Sequence, residues 1–139
     1  MIIGVDPGGL TGLVLYRGPG TRIYHAQLPF EEAVQWLATE VPAADLVAVE
    51  RFTIAGRTLS GTRAGANDAT QMIGACRALC VLHGVKFTLQ SPADAKNAFN
   101  DRVLKDISVY SDVTGGHARD ALRHALLAER RFPGLTEEK

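Results

Sequence analysis

The chain opens with a short β-branched apolar run, Ile2 to Val5, that ends at Asp6, and Pro7-Gly8-Gly9 then forces a turn. Leu10 to Tyr16 resumes a strand, with Gly12 as its weak point. Arg17-Gly18-Pro19-Gly20 is a second turn, and Thr21 to Leu28 reads as a third strand. Pro29 opens a helix over Phe30 to Glu40 with Ala33, Val34, Trp36 and Leu37 turned inward. Leu46 to Val49 is a buried-type strand that ends at Glu50. Arg51 to Ala66, rich in Gly, Arg, Thr and Ser with little periodicity, reads as a mobile loop. Asn67 is placed to cap a helix that runs to His83, striped by Met72, Ile73, Cys76, Leu79 and Cys80 and stopped by Gly84. Val85 to Leu89 is a further strand, and Ser91-Pro92 starts another helix. Val103 to Val113 gives no clear pattern. Gly115-Gly116 precedes a final helix, His117 to Arg131, which Pro133-Gly134 ends.

A three-strand meander followed by alternating helices and strands predicts an α/β fold with a mixed sheet and helices on its faces. At 139 residues the chain makes one domain, residues 1–139, and excludes a two-lobed enzyme with a cleft between lobes. Its 46% hydrophobic and 22% charged composition is globular and sufficient for a core without disulfides. Cys76 and Cys80 are therefore read as reduced packing residues. No apolar run is long enough to span a membrane, and the N-terminus lacks the basic start of a signal peptide, so a cytoplasmic location is expected.

The acids change the picture. Asp6 and Glu50 end the first and fourth strands, and parallel pairing of those strands would bring both carboxylates to one edge of the sheet. In the last helix Ala118, Ala121, Leu122, Ala125 and Ala128 make one apolar face. His117, Asp120 and His124 border that face, and Arg119, Arg123 and Arg130 fall on a third side. A helix faced with small residues can lie close to a sheet, bringing Asp120 and His117 towards Asp6 and Glu50. Converging carboxylates repel, and a divalent cation is the usual neutraliser. Oxygen donors favour Mg²⁺ or Mn²⁺, and two such ions roughly 4 Å apart support in-line displacement at phosphorus.

Charge is uneven along the chain. The 15 basic and 15 acidic residues cancel overall, yet residues 51–77 hold Arg51, Arg57, Arg63 and Arg77 against Asp68 alone. The basic excess thus follows Glu50 directly, and phosphate binding there would depend strongly on salt.

Several segments, in order, resemble the RuvC-type Holliday junction resolvases of the ribonuclease H-like superfamily. IIGVDPGGLTG resembles their opening, VAVERF their second acidic strand, and NDATQMIGACRA the helix that follows. SPADAKNAF resembles a stretch with a DNA-contacting lysine, and HARDALRHAL the last acidic helix. The likeness spans about residues 1–130, leaving 132–139 as a tail, and the compact size resembles the phage-encoded branch. It implies a ribonuclease H-like five-stranded sheet, a homodimer, and metal-dependent paired nicking of four-way or other branched DNA. The products would carry 5′-phosphate and 3′-hydroxyl ends.

By the same resemblance, Asp6, Glu50 and Asp120 match catalytic acids and His117 a fourth position that is often Asp. Asp6 would bridge two Mg²⁺ ions, replaceable by Mn²⁺, with Glu50 and Asp120 holding one each and His117 assisting. Arg51 departs from a common Gln, Phe52 matches an aromatic near the junction crossover, and Lys96 and Lys105 match phosphate-contacting basic residues. With Arg57 and Arg63 these make the candidate DNA-binding set.

Three rivals remain: a less selective flap or fork nuclease, a non-catalytic junction-binding module, and an actin-like sugar kinase. The kinase needs a second lobe that 139 residues do not supply, so no nucleotide cofactor is expected.

Overall fold

A computed structural model describes residues 1–52 and 63–135. Five strands form one sheet: β1 (Ile2–Asp6), β2 (Leu10–Tyr16), β3 (Tyr24–Pro29), β4 (Leu46–Glu50) and β5 (Lys86–Gln90). Their order is β3-β2-β1-β4-β5. The first three form the expected antiparallel meander, and β1, β4 and β5 run parallel. Helices α1 (Phe30–Glu40) and α2 (Arg63–His83) cover one face. Helices α3 (Pro92–Ala98), α4 (Asp101–Asp106) and α5 (Gly116–Arg131) belong to the other.

The alternation of side chains along each strand divides the core in two. Ile3, Val5, Leu13, Leu15, Val47 and Val49 pack with α1 and α2, among them Met72 and Cys76. Ile2, Val14, Leu46 and Ala48 pack with α5 through the predicted Ala118, Ala121, Leu122, Ala125 and Ala128 face. Two glycines let α5 approach so closely. A Cβ on Gly4 would collide with the carbonyl of Ala121, and one on Gly12 with that of His117. Gly12 is thus no weak point; it is where the helix rests on β2.

The structure alters several expected boundaries. The third strand begins at Tyr24 because Thr21 closes the preceding turn: its N–H and its hydroxyl both donate to the Gly18 carbonyl, at 3.2 and 2.6 Å. Helix α2 begins at Arg63, so Asn67 lies within it and does not cap it. Nothing between Arg63 and Ala66 bars extension as a proline would. The rest of the expected loop, residues 53–62, lies outside the described residues. Ser91 does cap α3, accepting from the Asp94 N–H at 3.0 Å. In the stretch without a pattern, Asn100 caps α4 by accepting from the Val103 N–H at 2.9 Å.

Cys76 and Cys80 are buried and unpaired, and burial pushes their thiols up to about 12 and about 11. They are packing residues, as expected. Among the described residues no helix is long and apolar enough to cross a membrane.

Candidate active site

Strand register builds one end of the sheet into a row. Gln27 pairs with Gly12, Gly12 with Asp6, and Glu50 with Gln90. Val5 pairs with Val49, so the next residues along, Asp6 and Glu50, stand side by side. Both have the parity of Ile2 and Leu46, hence they face α5. The row therefore reads Gln27, Gly12, Asp6, Glu50, Gln90 from one edge of the sheet to the other.

Helix α5 lies across this row. Its first turn is pinned from the edge strand: Gln27 Oε1 accepts from the N–H groups of His117 and Ala118, at 2.9 and 3.1 Å. These donors have no partner within the helix, and Gly115, the residue before it, offers no side-chain cap. His117 Nδ1 then lies 3.0 Å from Asp6 Oδ2. Two turns on, His124 Nε2 lies 3.0 Å from Glu50 Oε1, and Gln90 Nε2 lies 3.1 Å from His124 Nδ1.

Electrostatics separates the two strand-end acids. Burial, the charge of Glu50, the hydrogen bond to Glu50 and the charge of Asp120 push Asp6 up to about 9. Burial also raises Glu50, but hydrogen bonds from His124 and Asp6 outweigh it and hold Glu50 below the usual carboxylate range. Asp6 therefore holds the proton of the pair and donates it towards Glu50.

Asp120 and Arg123 pair along α5. Arg123, on the third side of α5, is only 4% exposed. Its Nε donates to the Phe99 carbonyl at 2.7 Å, Nη1 to Asp120 Oδ1 at 2.6 Å, and Nη2 to Asp101. Three acceptors on α5, α4 and the connection before α4 make burial of the guanidinium tolerable. Asp120 is thus shared between Asp6, whose charge balance it affects, and Arg123, which it touches.

The structure brings Asp6, Glu50, His117 and Asp120 to one end of the sheet, as the sequence suggested. Among the described residues, however, no group of three or more His, Cys, Asp and Glu is arranged to hold a metal ion. Asp120 is engaged by Arg123, Glu50 by His124, and His117 by Asp6. In chemical type the donor set still fits a hard divalent cation, being three carboxylates and an imidazole at one end of the sheet.

Beside them is a pocket of about 150 Å³ whose walls include Glu50, Lys96, Asp120, Arg123 and His124. Lys96, on α3, is thus next to two of the acids. Arg51 is exposed, and its N–H donates to the Gln90 carbonyl at 2.7 Å. Phe52 is 39% exposed, a surface ring rather than a core residue. Lys105 does not line that pocket; it sits on α4 with its ammonium 4.7 Å from the Tyr110 ring centre, where Arg119 also stacks at 4.0 Å. Arg63 is the first residue of α2, and Arg57 lies outside the described residues. A larger cavity, about 540 Å³, includes Tyr16 and Glu129 and therefore lies at the opposite end of α5 from His117.

Sequence reasoning missed Gln27, Gln90 and Arg123, and placed His124 only as a border residue. Gln90 has a signal: it ends its strand as Glu50 ends the neighbouring one, and the two are register partners.

No family model matches this sequence, and no curated protein matches it. Solved structures do. The chain is similar to Thermus thermophilus RuvC in complex with a Holliday junction substrate, with a TM-score of 0.63 and 18% identity over 97% of each chain. It is also similar to a second Thermus thermophilus RuvC structure, with a TM-score of 0.55 and 21% identity over 94% of this chain and 95% of that one. At such identities the likeness shows the fold: a mixed five-stranded sheet with helices, of the RuvC and ribonuclease H-like type.

Proposed function

We propose that this chain is a metal-dependent, structure-selective endonuclease that resolves four-way junctions or related branched DNA. One observation carries the reading: on a RuvC-like fold, Asp6 and Glu50 stand side by side at the end of the sheet, and α5 brings Asp120 and His117 to the same place. Setting two carboxylates side by side at the end of a buried sheet carries a cost that packing alone does not repay.

The residues divide the work as follows. Glu50 is kept ionised by His124, and Asp6 and His117 share a hydrogen bond through which a proton can pass. The His117 side chain is half exposed, so a neutral imidazole there can take a proton from a water that attacks the scissile phosphate. Lys96, in the pocket wall, and Arg51, at the strand end, supply positive charge for the phosphate backbone. Mg²⁺ or Mn²⁺, two ions per site, held by Asp6, Glu50 and Asp120 with His117 assisting, would offset the acids' repulsion and add Lewis acidity at the phosphoryl group. Attack by water leaves a 5′-phosphate and a 3′-hydroxyl. A homodimer would set two such sites on opposite strands, and paired nicks would follow. Phe52, exposed two residues after Glu50, has the position for stacking on an unpaired base at the crossover.

The test is cleavage of a labelled mobile four-way junction beside a linear duplex, a fork and a flap. Wild type and Asp6→Asn are each run with Mg²⁺, with Mn²⁺ and with chelator. Paired symmetric nicks on the junction, metal-dependent and lost in the variant, are expected. Comparable cutting of forks and flaps would replace the resolvase reading with a general branched-DNA nuclease. Tight junction binding without any metal-dependent cut would replace it with a binding module.

A further inference from the structure

Gln90 and His124 are both 1% exposed, and together they form a relay that ends on Glu50. Gln90 Nε2 lies 3.0 Å from the His124 carbonyl oxygen and 3.1 Å from His124 Nδ1. A carbonyl oxygen only accepts, so the amide atom facing it must be the NH₂ group, which settles the orientation of the Gln90 amide. That NH₂ group has a second hydrogen, and Nδ1 is its acceptor. Nδ1 therefore presents a lone pair, and the proton of the neutral ring is on Nε2. The Nε2–H then donates to Glu50 Oε1 at 3.0 Å.

The relay is anchored at both ends to the sheet. Glu50 and Gln90 are register partners on adjacent parallel strands, and His124 bridges them from α5. Gln90 also keeps a buried side-chain oxygen without a hydrogen-bond partner. An apolar residue of similar size would fill the place without that penalty, so packing alone does not account for a glutamine here.

We propose that Gln90 is a positioning residue that locks His124 in its Nε2–H tautomer, so that the ring holds the Glu50 carboxylate in place beside Asp6. The proposal deepens the nuclease reading of the site and rests on it for its consequence in catalysis. The lock itself is a property of the free protein.

The experiment follows the ring nitrogens of His124 by long-range ¹H–¹⁵N correlation in the metal-free full chain. Single-turnover junction cleavage in Mg²⁺ and junction affinity in chelator are measured beside it. Wild type should show His124 as Nε2–H, with that proton shifted in Glu50→Gln. Gln90→Met, of similar length and without donors, should show both tautomers. It should cut roughly tenfold to a hundredfold more slowly, as loss of such supporting contacts typically does, with affinity unchanged.

His124→Gln puts an amide donor near the reach of Nε2 without needing a tautomer. It should keep most of the rate that His124→Ala loses, and adding Gln90→Met to it should cost less than about twofold. Three results overturn the proposal: His124 stays wholly Nε2–H in Gln90→Met, Gln90→Met slows His124→Gln as much as it slows wild type, or His124→Gln is as slow as His124→Ala. If Gln90→Met does not fold, the wild-type spectrum decides: a neutral His124 protonated at Nδ1 instead of Nε2 overturns the proposal. If wild type cuts no DNA, the nuclease reading fails separately. The two tautomer spectra and the Glu50→Gln shift still decide whether Gln90 sets the ring that holds Glu50.

Discussion

Asp6 is 5% exposed, and its carboxyl is pushed up to about 9 from an ordinary 3.8. Without metal, the folded chain thus keeps a proton at neutral pH that the unfolded chain releases. Replacing Asp6 by asparagine leaves a neutral group of the same shape and removes this penalty. The sign follows from proton counting: between pH 4 and 9 the native state binds the extra proton, so wild-type stability falls as pH rises. The slope for one full proton is about 1.4 kcal/mol per pH unit.

Over the roughly three units from pH 4 to pH 7 this reaches about 4 kcal/mol at most, and sharing of the proton with Glu50 lowers it towards about 2 kcal/mol. Glu50 does not confuse the window. Its depressed carboxyl stabilises the fold above the ordinary carboxylate range and loses that effect only as pH falls through its lowered value. Urea unfolding of wild type and Asp6→Asn in chelator at pH 5, 6, 7 and 8 measures the difference. Asp6→Asn should be the more stable protein, by a margin that grows with pH and amounts to roughly 6–12 °C in Tm at pH 7. It should be inactive at every pH. A margin that stays flat from pH 5 to pH 8 would refute the claim that Asp6 is held neutral by its surroundings.

Arg123→Met strands the Phe99 carbonyl and frees Asp120 and Asp101, so thermal unfolding should report a loss of about 2–4 kcal/mol. Gln27→Leu leaves two N–H groups at the start of α5 without their acceptor; denaturant unfolding should show a loss of about 1–2 kcal/mol, and junction cleavage should fall with it. Gly12→Ala drives a methyl group into the His117 carbonyl and should destabilise by at least about 1–3 kcal/mol, whereas Gly9→Ala, which meets nothing nearby, should leave Tm almost unchanged.

Much of this site was legible because strands end where the hydrophobic run ends. Asp6 and Glu50 each close a β-branched or apolar run, and a helix faced with alanines tells how near it lies to a sheet. What was not legible depends on pairing or on distant acceptors. Gln90 matters only because β5 lies beside β4 in a register that sets it against Glu50. Arg123 falls outside the apolar face on a helical wheel, and nothing in its own helix reveals that Phe99 and Asp101 will meet it. Gln27 is an ordinary polar residue on an edge strand until α5 arrives with unpaired N–H groups. The extent of α2 was misjudged for the opposite reason: the cap signal of Asn67 was local, and the helix began four residues earlier.

The order along the sheet's end explains why these pieces belong together. Amides stand at both edges, Gln27 and Gln90, and each grips α5: one at its first turn, the other at His124. Between them Gly12 has no side chain, which lets the helix come down, and Asp6 and Glu50 are left beneath it. Fixing the helix at two points fixes His117 and Asp120 relative to the strand-end acids, since all lie on one rigid element. The same closeness is what makes Asp6 unfavourable when ionised. The site is therefore held in its crowded arrangement by neutral hydrogen bonds that do not depend on the charges they bring together. Ionising Asp6 would therefore leave both grips on the helix in place.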